Sequence, residues 1–347
     1  MIINHTRLKG QCIEPSCQRD YTIGKNKFSY LAPSCEIITF IDVKQISGSG
    51  IQCYAGVIKD NTFYYEGFTK KALASQGPTP FWNKLENNFQ IDLSGKHTYQ
   101  VNEVFTWYNI REYWHWFLED LPLIKAFRTK PDLPIYVNKL NHYQKESLEY
   151  FKDIKERIVE VDIPSIIEAK KLHVVTYPAI SNRGKSALWS SHFLRDNLKG
   201  TESYFSPKRV YISRNDAIAR RVVNEDEVIE LLRKYSFTII DDTTSMSLQE
   251  KLNLFYNADI LISPTGANLT HAHAMKEGST IIDFNHSFEV SEECGWNNIG
   301  DACGIKWITI PAKTIGRPPP SRPKMKNAHL QVDINNLERV IRERLDI

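Results

Sequence analysis

Arg209-Val210-Tyr211-Ile212-Ser213, Phe237-Thr238-Ile239-Ile240, Ile260-Leu261-Ile262 and Thr280-Ile281-Ile282-Asp283-Phe284 are short apolar runs that recur through the second half of this 347-residue chain. Runs of that length, rich in β-branched residues, are the pattern of strands buried on both faces of a parallel sheet. What separates them reads as helix. Asn224 and Glu227 have the spacing of a capping box, which opens a helix running to Tyr235. Ser247 and Glu250 repeat the device for a helix to Asn257. Pro264-Thr265-Gly266-Ala267-Asn268 turns the third strand into a short helix, and Lys306-Trp307-Ile308-Thr309-Ile310 gives a fifth strand. This β-α-β-α order predicts a doubly wound parallel sheet. Ligands of such sheets bind beyond the carboxyl ends of the strands, so chemistry is expected in the loops after Ser213 and Pro264.

Toward the N-terminus, Pro134-Ile135-Tyr136-Val137, Ile158-Val159-Glu160-Val161 and Leu172-His173-Val174-Val175 read as further buried parallel strands, with a helix from Tyr143 to Ile154 between the first two. The first hundred residues favour strands. Cys53-Tyr54-Ala55-Gly56-Val57-Ile58 and Phe63-Tyr64-Tyr65 flank Asp60-Asn61 as in a hairpin. Past the fifth strand, the Pro-, Arg- and Lys-rich stretch Arg317 to Lys326 reads as a linker. Ile334, Leu337, Ile341 and Leu345 then line one face of a terminal helix started by Asp333. The expected division is residues 1–203, residues 204–325 and a terminal helix within 326–347.

Composition agrees with two α/β domains: 41% hydrophobic and 24% charged residues are ordinary for a globular protein of this length. A formal charge of +3 gives no polyanion signal, which argues against nucleic acid as a partner. The opening Met1-Ile2-Ile3-Asn4-His5-Thr6-Arg7 lacks a basic flank followed by an apolar run, and no apolar run reaches the roughly 18 residues of a membrane span. A cytoplasmic protein without a transmembrane segment is expected, with peripheral membrane association left open. The sequons at Asn4, Asn268 and Asn285 are then chance matches. The six cysteines form no CxxC pair, and between a zinc site on Cys12 and Cys17 and free thiols the spacing favours thiols.

Three constellations can carry chemistry. In Tyr113-Trp114-His115-Trp116-Phe117-Leu118-Glu119-Asp120-Leu121-Pro122, His115 and Glu119 stand four apart and share a face of a helix. Aromatic neighbours would exclude water and raise a carboxylate's pKa, as a general base needs. From spacing alone, an amphipathic core helix with a satisfied histidine is the stronger reading. Arg214, Arg220 and Arg221 follow a strand and precede a helix N-terminus, where guanidinium forks and unpaired N–H groups suit a diphosphate. A solvated basic loop accounts for them equally well. Gly266 permits close backbone approach to a ligand, though any βα loop can carry such a residue. His271 and His273, two apart on a helix, diverge and make no metal pair. Asp241-Asp242 ends a strand and is not assigned to a metal. Gly48-Ser49-Gly50 precedes a strand-like run, so it is no dinucleotide fingerprint, and an NAD-type oxidoreductase is set aside.

Taken together and in this order, the segments resemble glycosyltransferase family 61. Tyr113 to Glu119 is similar to the family's N-Y-Y-H-W-x-x-[DE] block. Tyr211-Ile212-Ser213-Arg214 through Arg220-Arg221-Val222-Val223-Asn224-Glu225 is similar to its I-S-R…R-x-x-x-N-E block. Ala258-Asp259 through Pro264-Thr265-Gly266-Ala267-Asn268-Leu269-Thr270-His271 is similar to its A-D…P-H-G-A-x-L-T-[NH] block. The similarity runs from about Phe105 to Ile341. The chain departs from the pattern at Glu112, where the family has Asn, and at Thr265, where it has His.

The resemblance implies a GT-B-like α/β architecture, two Rossmann-like domains facing across a cleft, with the last helix crossing back to the N-terminal one. It implies an inverting, metal-independent transfer from a nucleotide-sugar donor, by default a UDP-sugar, to a hydroxyl of a glycan acceptor, in polysaccharide or capsule biosynthesis and without a cofactor. Catalysis would fall to Glu119 and His115, with Asp120 the weaker candidate. Donor binding would fall to Ser213, Arg214, Arg220, Arg221, Asn224, Glu225, Thr265, Gly266, Ala267, Asn268 and His271. The competing reading is a catalytically silent nucleotide-sugar-binding or scaffold protein on the same fold, favoured by Thr265 and opposed by Arg214 and Glu119.

Overall fold

In a computed structural model the protein is described over residues 2–4, 10–23, 26–32, 34–47, 57–60, 62–64, 82–85, 88–91, 94–107, 109, 112–162, 165–176, 179–180, 185–287, 297–321 and 324–345. The chain forms two compact units, Met1–Gln18 with Leu31–Ser181, and Arg19–Tyr30 with Asn182–Ile347. The segment 182–203, read from the sequence as N-terminal, belongs to the second unit.

The first unit is built on a mixed sheet of β1 (Ile2–Asn4), β2 (Gln11–Glu14), β3 (Cys35–Ser47), β4 (Val57–Lys59), β5 (Thr62–Tyr64), β6 (His97–Trp107), β7 (Ile135–Asn138), β8 (Ile158–Val161) and β9 (Ser165–Val175). Their order is β1-β5-β4-β3-β9-β6-β7-β8, with β2 paired to β3. The β9-β6-β7-β8 part is parallel throughout, and β3 joins it antiparallel to β9. The expected hairpin is present: Ile58 pairs with Phe63 across β4 and β5, and Asp60 turns the chain at φ 46°. Residues 53–56, 61 and 65 of that reading lie outside the described residues. The single helix expected from Tyr143 to Ile154 is instead two, α1 (His142–Leu148) and α2 (Lys152–Lys155). Phe151, at φ −129° and ψ 63°, leaves helical geometry and buries its ring, which breaks the ladder between them.

The second unit holds α3 (Leu188–Asn197), β10 (Arg209–Ile212), α4 (Glu225–Lys234), β11 (Thr238–Ile240), α5 (Leu248–Asn257), β12 (Ile260–Pro264), β13 (Thr280–His286), α6 (Asn297–Cys303), β14 (Lys306–Ile315), β15 (His329–Gln331) and α7 (Ile334–Leu345). Its sheet runs β11-β10-β12-β13-β14-β15, and the first five strands are parallel, as the apolar runs predict. Every residue of β12 and β13 is buried, which is why those strands read as continuous apolar runs and not as alternating ones. β15 is antiparallel to β14 and was not legible as a strand, being three residues long beside the Pro-rich stretch.

Of the two expected capping boxes, the one at Ser247 and Glu250 is complete, each side chain bonding the other's backbone N–H. The one at Asn224 and Glu227 is absent. Asn224 does start α4, but its amide exchanges two 3.0 Å hydrogen bonds with the Val332 backbone, so a tertiary partner has displaced the local one. Asp333 caps α7 through the Asn336 N–H at 3.1 Å. The resemblance has this helix crossing to the other domain; its buried Leu337, Val340 and Ile341 share the second unit's own core with Val228, Leu231 and Leu232. Two parallel-rich sheets with helices in the connections make the protein an α/β protein of Rossmann-like kind. Among the described residues no helix is long and apolar enough to cross a membrane.

Candidate active site

Strand β6 ends at Trp107, and the chain re-enters as a helical turn at Tyr113–His115, a π-turn at Trp116–Asp120 and a 3₁₀ turn at Leu121–Leu123. The change of pitch has a local cause. Pro122 has no N–H to give, and the Leu121 N–H reaches back five residues to the Trp116 carbonyl. Aromatic packing holds the widened turn: Trp116 stacks on Trp107 at 4.9 Å and donates from Nε1 to Ser147 Oγ at 2.9 Å. Tyr113 packs against Phe117 and Tyr143 on the other side.

Within this turn His115 Nδ1 lies 2.8 Å from Glu119 Oε2. Glu119 is only 3% exposed, and its other oxygen, Oε1, is buried without a hydrogen-bond partner. An open acceptor in that setting carries a desolvation cost that an incoming hydroxyl would relieve. Burial pushes the His115 pKa down, but the bond and charge of Glu119, joined by the charges of Glu112 and Asp120, outweigh it and leave the histidine above its ordinary value. Glu112, where the family pattern has Asn, therefore acts on the histidine through its charge. Asp120 turns away: it is fully buried and accepts from Trp107 Nε1 at 2.9 Å, tying the turn to the end of β6.

In the second unit the carboxyl ends of β10, β12 and β13 lie side by side, with Ser263 Oγ donating to the Ile212 carbonyl at 3.0 Å and the Thr265 N–H to the Phe284 carbonyl at 2.9 Å. Arg214 follows β10 and lays its guanidinium on Gly266. A Cβ built at Gly266 would stand 1.9 Å from Arg214 Nη1, so only the bare backbone admits the arginine. Arg214 Nη2 also reaches the Ala219 carbonyl at 3.5 Å, which closes the loop beneath it. Arg220 then adopts a left-handed φ of 59°, costly for a long side chain, and its charge helps to lower the pKa of buried His286, where burial is the larger cause. Arg221 points outward, and its backbone pairs with Leu330 of β15, which pins the far end of the loop.

The remaining residues of the two motifs divide by burial and partner. Ser213 Oγ caps the loop by accepting from the Asn215 N–H at 3.1 Å. Asn268 donates to Thr243 Oγ1 at 2.7 Å beside half-buried Ala267. Thr265 is buried. Asn224 is engaged with Val332, and Glu225 accepts from Tyr211 Oη at 2.6 Å inside the unit. His271 is wholly buried with its ring edge-on to Phe255, and burial holds its pKa well below the usual range, so it is neutral. His286 was not singled out from the sequence; its place at the end of a strand was the available signal. Asp241 and Asp242 are exposed, and Asp242 Oδ1 is occupied by the Thr244 N–H and hydroxyl, both at 2.6 Å. Cys12, Cys35 and Cys303 are free thiols.

Both clusters thus stand where a strand order reverses, between β6 and β9 in one sheet and between β10 and β12 in the other, at the carboxyl ends where parallel sheets place their ligands. This defines an α/β protein with one acid–base cluster and one cationic cluster. The family model described as Glycosyltransferase 61 matches residues 113–282, a span that contains His115, Glu119, Arg214, Arg220 and Gly266. The match supports assignment to glycosyltransferase family 61, and with it glycosyltransferase activity on a sugar donor and an acceptor. No curated protein matches it.

Proposed function

We propose that the protein is an inverting, metal-independent glycosyltransferase of GT-B-like architecture. In this reading it moves a sugar from a nucleotide-sugar donor, by default a UDP-sugar, to a glycan hydroxyl in polysaccharide or capsule biosynthesis. The observation that carries the reading is the Arg214 guanidinium seated on the Gly266 backbone at the reversal point of the second sheet. A diphosphate bound there meets a fixed cation, with Arg220 as the second, and Ser213, Thr265, Ala267 and Asn268 frame the loops around it. As the bond between the anomeric carbon and the diphosphate oxygen breaks, its electron pair stays with the phosphate, and pre-placed cations stabilise that growing charge more than the ground state. Arginines in this place do the work that paired aspartates and a metal do elsewhere.

The first unit supplies the proton acceptor. The acceptor hydroxyl gives its proton to Glu119 Oε1, and its oxygen forms the new bond to the anomeric carbon from the side opposite the diphosphate. His115 fixes the carboxylate through Oε2. The test is a screen of nucleotides and nucleotide sugars by thermal shift, followed by donor hydrolysis and transfer with and without excess EDTA. A true donor at a hundred times its Kd should stabilise by about 2.7 kcal/mol. Transfer abolished by chelation and restored by magnesium or manganese overturns metal independence. The buried Thr265, where the family has His, favours a second reading, a silent nucleotide-sugar binder. Binding with neither hydrolysis nor transfer would establish that one.

A further inference from the structure

Three neighbouring strands of the first sheet share one irregularity at one level. Pairing of β9 with β3 steps from Lys171 opposite Ile41 to Ala169 opposite Val43, and pairing with β6 steps from Lys171 opposite Glu103 to Ala169 opposite Val101. Asp42, Lys170 and Asn102 fall in the gap. The inward-facing positions change parity there: Phe40, Val104 and Leu172 above it and Val43, Val101 and Ala169 below it pack into the same core. A one-residue slip in a single strand would turn its apolar set to the wrong face. Here the pairing keeps one register above and below the gap, and all three strands change parity at the same level, so the core is kept. Asp42 takes a left-handed φ of 50° to allow it, and strain of this kind persists where surrounding structure imposes it, often at ligand sites.

At and below this level, the face turned away from that core carries two cross-strand rows. One is Lys44-Glu168-Gln100, with Lys44 and Glu168 paired at 3.2 Å; the other is made by Asp42, Lys170 and Asn102, the three positions at the level of the gap. Together with the β4–β5 hairpin they line a cavity of about 720 Å³, separate from the turn that holds His115 and Glu119. Each row sets a carboxylate, an ammonium and a carboxamide side by side. With Lys59 and Asp60 of the hairpin, three carboxylates and three ammonium groups line it and balance, so a polyanion would meet repulsion as well as attraction. Hydroxyl groups suit the rows better, since each O–H can donate to a carboxylate and accept from an ammonium or amide N–H.

We propose that this trough binds a neutral saccharide segment of the acceptor, at a distance along the glycan from the reacting hydroxyl. The proposal rests on the glycosyltransferase reading above for the nature of its ligand. It is tested on the full chain with immobilised neutral hexasaccharides of β-1,4-linked glucose, xylose and mannose, measured without donor, and with transfer kinetics. Asn102→Ala and Lys170→Ala should each weaken binding of the recognised hexasaccharide and raise acceptor KM by about ten-fold, as expected for one lost hydrogen bond to a polar ligand, with kcat and donor hydrolysis unchanged. Asp42→Gly keeps the left-handed backbone open while removing the carboxylate, so it should do the same without loss of fold. The proposal is overturned if the wild type binds none of the three, if it prefers a hexagalacturonate, or if all three variants keep wild-type binding and acceptor KM. Hexasaccharide binding that the variants lose, in a protein that neither binds nor hydrolyses any donor, would keep the trough and sink the transferase reading.

Discussion

Past the end of β6 a buried carboxylate is bonded to His115 with one oxygen left open; at the ends of β10 and β12 a guanidinium lies against bare backbone with its loop pinned at both ends. The two clusters hold equivalent places in their sheets and differ in every other respect. A group that must take a proton gains from a low-dielectric setting and few competing donors. A group that must steady a departing anion gains from fixed position and charge that never titrates. The proposed roles assign the first demand to buried Glu119 and the second to half-exposed Arg214, and that contrast supplies the tests that break or sharpen the comparison.

The largest effect is expected at Glu119. Glu119→Gln keeps shape and the contact to His115 but removes basicity, and should cost roughly 10²–10⁴ in kcat with little change in nucleotide affinity. A fully active Glu119→Gln beside a dead His115→Ala would move the base to the histidine and break the assignment. Next comes the cationic cluster. Arg214→Ala should lose on the order of 10²–10³ in turnover. Gly266→Ala is the sharper probe, because its Cβ would meet the flexible end of Arg214 at 1.9 Å and not the main chain. It should displace the guanidinium and approach the Arg214→Ala loss while the melting temperature stays near wild type. Unchanged activity in Gly266→Ala would show that the seat on the backbone is not needed.

What was legible in the sequence follows the range of the interactions involved. The parallel runs of the second unit were readable because burial on both faces leaves an unbroken apolar stretch. The His115–Glu119 contact was readable because four residues bring side chains together whether the turn is α or slightly wider. The π-turn itself was not, since its aromatic clamp on Trp107 and Ser147 lies outside the segment. Ser247 capped as its local pattern predicts; Asn224 did not, because Val332, 108 residues on, took its amide. The parity change shared by β3, β6 and β9 has no signature in any one strand and shows only where Asp42, Lys170 and Asn102 drop out of the pairing together. The roles of Arg220 and Arg221, alike in sequence, separate only once the left-handed turn at Arg220 is seen.

A third test sets a buried acid of the second unit against Glu119. Asp283 accepts from Trp307 Nε1 at 3.0 Å and from Thr309 Oγ1 at 2.6 Å, its Oδ2 has no partner, and burial raises its pKa to about 6. No histidine compensates it. Because the folded value lies above the unfolded one, the folded state binds the extra proton between about pH 4 and pH 6, and the stability this adds is lost as pH rises through that window. The loss should be on the order of 2–3 kcal/mol, and Asp283→Asn should flatten it in urea melts taken from pH 4 to 7. An unchanged pH slope in the mutant would place the titration elsewhere.

The smallest effect belongs to Asp120, and it separates two adjacent acids that the sequence could only rank. Glu119 acts on His115 through both a hydrogen bond and charge, whereas Asp120 acts through charge alone and comes last among the acids that raise the histidine. Asp120→Asn retains an oxygen to accept from Trp107 Nε1, so the turn should keep its geometry. The His115 pKa, followed by its ring proton resonances, should fall slightly in Asp120→Asn and much further in Glu119→Gln, where burial is opposed only by the remaining charges. A histidine raised by folding adds stability below its unfolded value and loses it as pH rises through the folded one, so this loss should move to slightly lower pH in Asp120→Asn. Turnover should drop by less than about ten-fold, since Glu119, the acid proposed to meet the acceptor, is untouched. If Asp120→Asn instead loses as much activity as Glu119→Gln, with the His115 pKa barely moved, Asp120 is the base and its bond to Trp107 is broken when substrate binds.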